Sequence, residues 1–341
     1  RRGMVVDDAT IPTDLVDQHG RRVSYVRLSV TERCDLACVY CMPPAGERAH
    51  ARHAELLMPE EIARLARVFS GLGAERLRFT GGEPLCRRDL VSIVERSRES
   101  APRLALAVTT NGTRLGALAS PLSRAGLGSV NVSVDSLEPA RFAEITRGGE
   151  LAAVLDGVKA ALSAGLEVKT NTVVLGERSL DEIPRIVEWA WSLGIVPRFI
   201  EVMPIGEAAR LSPCDLVPAA RIAERLAALA RAEATPTRTG HGPARYLTAT
   251  DGSSRKVGLI AATTQRFCGD CNRVRVTARG ELRPCLARPE GRPLSALLRG
   301  GADDDELRDA LSAVVRLKSE GHVLGCASGP HQAVGMSLVG G

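Results

Sequence analysis

The feature that most constrains this 341-residue chain is an alternation of short apolar strands with amphipathic helices between residues 22 and 232. Residues 22–31 place Val26, Leu28 and Val30 on one side of a predicted strand. A helix is expected from Pro59, with Ile62, Leu65, Ala66 and Phe69 at helical spacing and Gly71 and Gly73 closing it. Further strands are predicted at 76–80, 104–110, 129–135, 166–175 and 196–203. Helices are expected at 89–97, 113–125, 151–164, 181–193 and 216–232. Six such units imply right-handed crossovers and a parallel sheet. They are too few to close an eight-stranded barrel. The expected fold is therefore α/β, a partial (β/α)6 barrel open on one side.

Near residue 235 the pattern changes. Residues 234–243 form a turn-rich connector, followed by strand-like pieces at 257–260, 274–277 and 281–283. This divides the chain into a barrel, residues 1–234, and a C-terminal region, residues 235–341, expected to cover the barrel opening. No fixed-period repeat or low-complexity tract is evident.

Nine cysteines in a chain of this length, six of them in two tight groups, do not resemble a secreted disulfide framework. Cys34, Cys38 and Cys41 fall within eight residues just after the first predicted strand. Thiolates are soft ligands, and iron–sulfur clusters are commonly held by cysteine. Three ligands would leave one iron open to a substrate or cofactor. A zinc knuckle lacking a ligand, or three unrelated thiols, are the alternatives. Cys268, Cys271 and Cys285 form a second trio, and a short CxxC is also a common zinc half-site. His241, His322, His331 and Cys326 lie far off as fourth ligands, so zinc and cluster stay open here. The isolated Cys86, Cys214 and Cys326 are expected to be buried as small hydrophobes.

The remaining composition excludes some functions. No apolar run reaches the roughly 18–20 residues that span a bilayer, and the start has no secretory core. A cytoplasmic protein without membrane association is expected, and a chain beginning at Arg1 is expected to lack its native start. A net charge of +5 with 3% aromatics and no basic tract gives little support to a nucleic-acid surface. Arg27, Arg76, Arg78, Lys169 and Arg198, however, sit in or beside apolar strands. Charges are seldom buried without partners. Several pointing into one cavity would form an anion site suited to a triphosphate.

Cys-x3-Cys-x2-Cys with Tyr40 before the last cysteine resembles the signature of the radical S-adenosylmethionine (SAM) superfamily. The segments Thr80-Gly-Gly-Glu-Pro84, Thr109-Thr-Asn-Gly112, Val132-Ser-Val-Asp135, Lys169-Thr-Asn-Thr172 and Arg198-Phe-Ile-Glu-Val-Met-Pro204 extend the likeness nearly end to end. With Cys268-Gly-Asp-Cys-Asn-Arg273-Val-Arg275, Cys285 and the Gly340-Gly341 end, the chain resembles the GTP 3′,8-cyclase family. That resemblance implies a partial barrel with two 4Fe-4S clusters, one on Cys34, Cys38 and Cys41, the other on Cys268, Cys271 and Cys285. It implies SAM contacts from Tyr40, Gly82, Ser133 and Met203. It implies GTP contacts from Arg27, Arg78, Thr109, Lys169, Arg198, Arg273 and Arg275, the last two also acting on the intermediate. Arg76 departs from the usual lysine. A radical would take the ribose 3′ hydrogen, the sugar carbon would join guanine C8, and the open iron of the second cluster would hold the base. A homodimer, a flavodoxin or ferredoxin electron donor, a downstream cyclic pyranopterin monophosphate synthase and a tail reaching into the active site are implied likewise.

On the residues alone, Gly81–Pro84 reads as an ordinary strand-to-helix turn, Ser133 as a strand-end cap and Met203 as core. Two other functions compete. One is a radical SAM enzyme that modifies a peptide with an auxiliary cluster. The other is a zinc- or cluster-stabilised RNA-binding module.

Overall fold

The computed structural model describes residues 14–43, 50–232, 242–287, 290–322 and 335–339. The barrel strands are β1 (Tyr25–Ser29), β2 (Arg76–Thr80), β3 (Ala105–Thr110), β4 (Ser129–Ser133), β5 (Glu167–Val173) and β6 (Val196–Ile200). Each pairs in parallel with the next. Helices α1 (Pro59–Gly71), α2 (Leu90–Ser100), α3 (Leu115–Arg124), α4 (Pro139–Thr146), α5 (Leu151–Ser163), α6 (Gly176–Ser192) and α7 (Ala219–Leu226) alternate with and follow them. Val26 and Leu28, Leu77 and Phe79, and Val130 and Val132 turn to the helices and form one continuous apolar core.

The opposite face of every strand looks inward, because side chains alternate with a period of two. The register sets Arg27 beside Arg78, Thr109 beside Asn131, and Asn131 beside Lys169. Asn171 lies beside Arg198. The interior is thus polar and strongly cationic. A standard barrel interior is filled by branched aliphatic side chains, so this one is shaped to hold something else.

The C-terminal strands are β7 (Ala230–Ala232), β8 (Arg245–Ala249), β9 (Lys256–Ile260), β10 (Arg273–Val276), β11 (Glu281–Arg283) and β12 (Arg292–Pro293). Among the described residues, the twelve strands form one sheet, ordered β12-β11-β10-β1-β2-β3-β4-β5-β6-β9-β8-β7. β9 pairs in parallel with β6, and β10 in parallel with β1. Residues 261–272 therefore carry the chain from one edge of the open barrel to the other. That bridge holds Cys268 and Cys271, so the C-terminal region covers the opening by extending both edges of the sheet. Three helices follow, α8 (Ser295–Arg299), α9 (Asp304–Arg316) and α10 (Met336–Val339). Asp303 caps α9 by accepting from Asp305 N and Glu306 N. Asp304 fastens it to α1 through Arg64 and Arg67, both at 2.9 Å.

Several expectations need correction. The helix expected at 216–232 ends at Leu226, and the alanine-rich stretch after it becomes β7, antiparallel to β8. Helix propensity there yields to edge pairing. α6 begins at Gly176, earlier than expected, with Pro184 inside it. α4 and α9 were not anticipated. Cys214 is exposed and Cys86 half-buried, so neither is a core hydrophobe. His241, His331, Cys326, Gly340, Gly341 and most of the connector lie outside the described residues. No described helix is long and apolar enough to cross a membrane.

Candidate active site

The first cysteine loop is held by backbone contacts. Ala37 N and Val39 N donate to Thr146 O and Ile145 O at the end of α4, at 3.1 and 3.0 Å. Arg147, which ends that helix at φ 55°, donates Nη1 to Ala37 O and Met42 O. On the other side the glycine turn packs directly on the start of the loop. A Cβ at Gly82 would lie 2.4 Å from Arg33 O, and one at Gly81 2.5 Å from Thr31 O. Only glycine permits that approach. Buried Glu83 locks the turn to the end of β3, accepting from Leu85 N, Thr110 Oγ1 and Asn111 N at 2.7–2.8 Å.

Cys34, Cys38 and Cys41 open into a cavity of about 180 Å3 that Tyr40, Gly82, Thr109, Ser133 and Met203 also line. Tyr40 donates its hydroxyl to buried Asp135 at 2.7 Å. Burial raises the Asp135 carboxyl to about 6 and that of Glu83 to about 7. The Cys38 thiol is pushed well up by burial and then by Asp135. The first site is lined by acids.

Cys268, Cys271 and Cys285 open into a second cavity of about 160 Å3, with Arg27, Arg198, Arg273 and Arg275 on its walls. Arg273 stacks 4.7 Å from the Phe267 ring centre and points Nη2 at Cys271 Sγ, 3.9 Å away. Burial alone would raise the Cys271 thiol, but Arg273 and Lys318 hold it at about 7. Burial and then Arg275 bring Arg27 down to about 9. Burial and then Arg273 bring Arg275 to about 10. Arg21 donates to Cys268 O at 2.7 Å while buried Asp17 holds its Nε at 2.6 Å.

Asn171, Ile200, Met203 and Met336 line both cavities, which therefore adjoin. A third, smaller cavity continues from the second past Tyr25, Asn131 and Arg198 to Arg76, Arg78 and Lys169, towards the N-terminal ends of β2 and β5. Arg198 is buried, and among the described residues its Nε and Nη2 have no hydrogen-bond partner. Gly258 opposite leaves it room, since a Cβ there would stand 2.6 Å from Arg198 Cγ. Lys169 meets Glu167 at 2.7 Å. Thr109 borders the first cavity, so it stands apart from the other cationic candidates except through Arg78 Nη1 at 3.5 Å.

The donor sets fit soft metal clusters. Each trio lines a cavity of its own, and thiolates are the ligands that iron–sulfur clusters take.

The radical SAM superfamily model matches residues 28–190, and that of Molybdenum Cofactor Synthesis C matches residues 195–324. A GTP 3′,8-cyclase of Caulobacter vibrioides is 41% identical over 336 residues, covering 97% of this chain and 95% of the relative. One of Ectopseudomonas mendocina is 42% identical over 333 residues, covering 96% and 98%. The chain belongs to the GTP 3′,8-cyclase family. Streptococcus suis SuiB bound to S-adenosylmethionine superposes with a TM-score of 0.61 at 14% identity, covering 88% of this chain and 69% of SuiB. SuiB bound to precursor peptide SuiA gives 0.63 at 14% identity, covering 88% and 68%. At that identity the likeness concerns the radical SAM fold.

Within the GTP 3′,8-cyclase framework, residue-level reading missed several groups. Tyr25 is buried, lines the second and third cavities and accepts a hydrogen bond from Arg78 Nε. Burial would raise its phenol, but Arg78, Arg27 and Arg76 outweigh it and bring it to about 8. Its spacing of two from Arg27 was the available signal. Asp135, Glu83 and Asn171 stood inside quoted motifs without a role. Lys318 carried no signal at all.

Proposed function

We propose that this chain is a radical SAM enzyme that converts GTP to (8S)-3′,8-cyclo-7,8-dihydroguanosine 5′-triphosphate, the opening step of molybdenum cofactor biosynthesis. The observation that carries this reading is the pair of adjoining cavities, each walled by three cysteines, with a cationic extension beyond the second. Cys34, Cys38 and Cys41 would hold one 4Fe-4S cluster, and Cys268, Cys271 and Cys285 the other. The first cluster with SAM supplies, when bound, the electron and the hydrogen-abstracting radical.

The chain's residues bind and orient. Tyr40, Gly82, Ser133 and Met203 form the SAM side. Arg78, Lys169 and Arg198 take the triphosphate, whose oxygens suit guanidinium forks and an ammonium. Arg76 borders the same extension and keeps the charge in a different geometry. Arg27, Arg273 and Arg275 surround the nucleoside in the second cavity and act on the cyclising intermediate. Thr109, on the first cavity, meets the substrate through Arg78. Fixing the ribose between the two cavities selects one C–H among several, and the enclosed walls limit side reactions.

The enzyme works in the cytoplasm as a homodimer, takes electrons from a flavodoxin or ferredoxin, and passes its product to cyclic pyranopterin monophosphate synthase. Anaerobic reconstitution with iron and sulfide, followed by SAM, a strong reductant and GTP, tests the reaction by mass spectrometry. Stoichiometric 5′-deoxyadenosine with a cyclised isomer of GTP is expected. Deoxyadenosine without GTP conversion would move the substrate assignment to a peptide. Neither product from a fully loaded chain would end the enzymatic reading.

A further inference from the structure

Lys318 lies just past α9 and is buried, 3% exposed. Its backbone is fixed from both sides, with N donating to Val315 O and O accepting from Gln18 Nε2. The ammonium reaches Arg273 O at 2.8 Å, Pro284 O at 2.9 Å and Cys271 Sγ at 3.6 Å. These contacts use all three of its donors. They also join the two halves of the second trio, because Arg273 is two residues past Cys271 and Pro284 directly precedes Cys285.

Among the described residues no carboxylate pairs with this ammonium. A buried cation lacking a counter-charge is costly, and two carbonyl dipoles offset only part of that. Thiolates that ligate iron carry the missing negative charge. The location fits that role, since the contacted sulfur is a ligand of the trio itself.

We propose that Lys318 is a positioning residue of the second cysteine site, clamping the two halves of the ligand set and acting as the built-in counter-cation of the bound cluster. It rests on the two-cluster reading above. A fixed positive charge beside a cluster favours its reduced, more negative state, so it moves the reduction potential upward.

The test compares the full-length reconstituted chain with Lys318→Met, Lys318→Gln and Lys318→Arg. Iron per chain, loss of iron to a chelator and a potentiometric titration followed by electron paramagnetic resonance are read together. In Lys318→Met the second cluster is expected to be lost to chelator at least about tenfold faster, as is usual when an outer-shell partner of a metal site is removed. Its potential is expected to shift downward while that of the first cluster stays put. Lys318→Arg keeps the charge and should hold the potential near the original. Lys318→Gln keeps donors for the carbonyls without the charge and should show the downward shift, which carries the test if the methionine variant folds poorly. Unchanged second-cluster potentials in both neutral variants would overturn the counter-cation. An original chain holding only one cluster would instead overturn the two-cluster reading beneath it.

Discussion

The two cysteine sites share ligand number and a CxxC pair, Cys38 with Cys41 and Cys268 with Cys271, but differ in their electrostatic surroundings. Around Cys34, Cys38 and Cys41 the buried charged groups include Asp135, Glu83 and Glu201. Around Cys268, Cys271 and Cys285 stand half-buried Arg273 and Arg275 and buried Lys318, and Asp270 between the first two cysteines is exposed. The same burial gives opposite outcomes: Cys38 is pushed well up, while Cys271 is held at about 7. Negative surroundings disfavour adding an electron to a cluster and so make a stronger reductant of it. Positive surroundings favour anionic occupants. On the function proposed above, the first site would give an electron away and the second would receive a nucleotide.

The largest effects should separate the sites completely. Replacing Cys34, Cys38 or Cys41 with Ala is expected to abolish 5′-deoxyadenosine formation. Replacing Cys268, Cys271 or Cys285 should leave uncoupled SAM cleavage and remove GTP conversion. Identical behaviour of the two sets would dissolve the comparison.

Glycine substitutions should then grade it. At Gly82 an added methyl meets the backbone of Arg33 at 2.4 Å, so the first cysteine loop must move. Gly82→Ala should lower SAM cleavage roughly 100-fold, the scale of a 1 Å misplacement, while GTP binding persists. At Gly258 the methyl meets Arg198 Cγ at 2.6 Å. A side chain yields more readily than backbone, so Gly258→Ala should weaken GTP binding by about tenfold, roughly 1.4 kcal/mol. Uncoupled SAM cleavage should remain. Loss of cleavage in Gly258→Ala, or of GTP affinity in Gly82→Ala, would show the cavities to be one cooperative site.

How much of this was legible in the sequence follows from the range of the interactions. Strands β1 to β6 were readable because alternation is local, and it also flagged the inward arginines. The cysteine trios were readable because ligand spacing is local within each group. The stretch ending at Ala232 failed because alanine favours helix whereas its partner, β8, lies beyond the turn-rich connector, outside any local window. The acid–cation contrast was invisible for the same reason. Asp135 meets Tyr40 across 95 positions, and Lys318 meets Cys271 across 47. Tyr25 shared a strand face with Arg27, yet nothing local announced that three guanidinium groups would surround its hydroxyl.

The smallest expected effect is a pH signature of the cluster-free chain, with opposite signs from the two sides. Glu83 is raised from 4.5 to about 7 by burial. Between those values the unfolded chain gives up a proton that the folded chain keeps, so stability falls as pH rises through that window, by roughly 3 kcal/mol in all. Tyr25 is lowered from 10 to about 8, against its own burial, by Arg78, Arg27 and Arg76. Between 8 and 10 the folded chain has released its proton first, so stability rises with pH by a similar amount. Arg27, at about 9, adds a rise of the same sign above pH 9. Denaturant midpoints from pH 5 to 10 should therefore pass through a minimum between 7 and 8. Tyr25→Phe removes the phenol and should reduce the rise from 8 to 9 to the part that Cys271, lowered from 9 to about 7, contributes, while leaving the fall from 5 to 7 intact. A variant that kept the whole rise would mean that the arginines of the second side do not act on Tyr25 as a group, and the cationic half of the contrast would shrink to the immediate surroundings of Cys271.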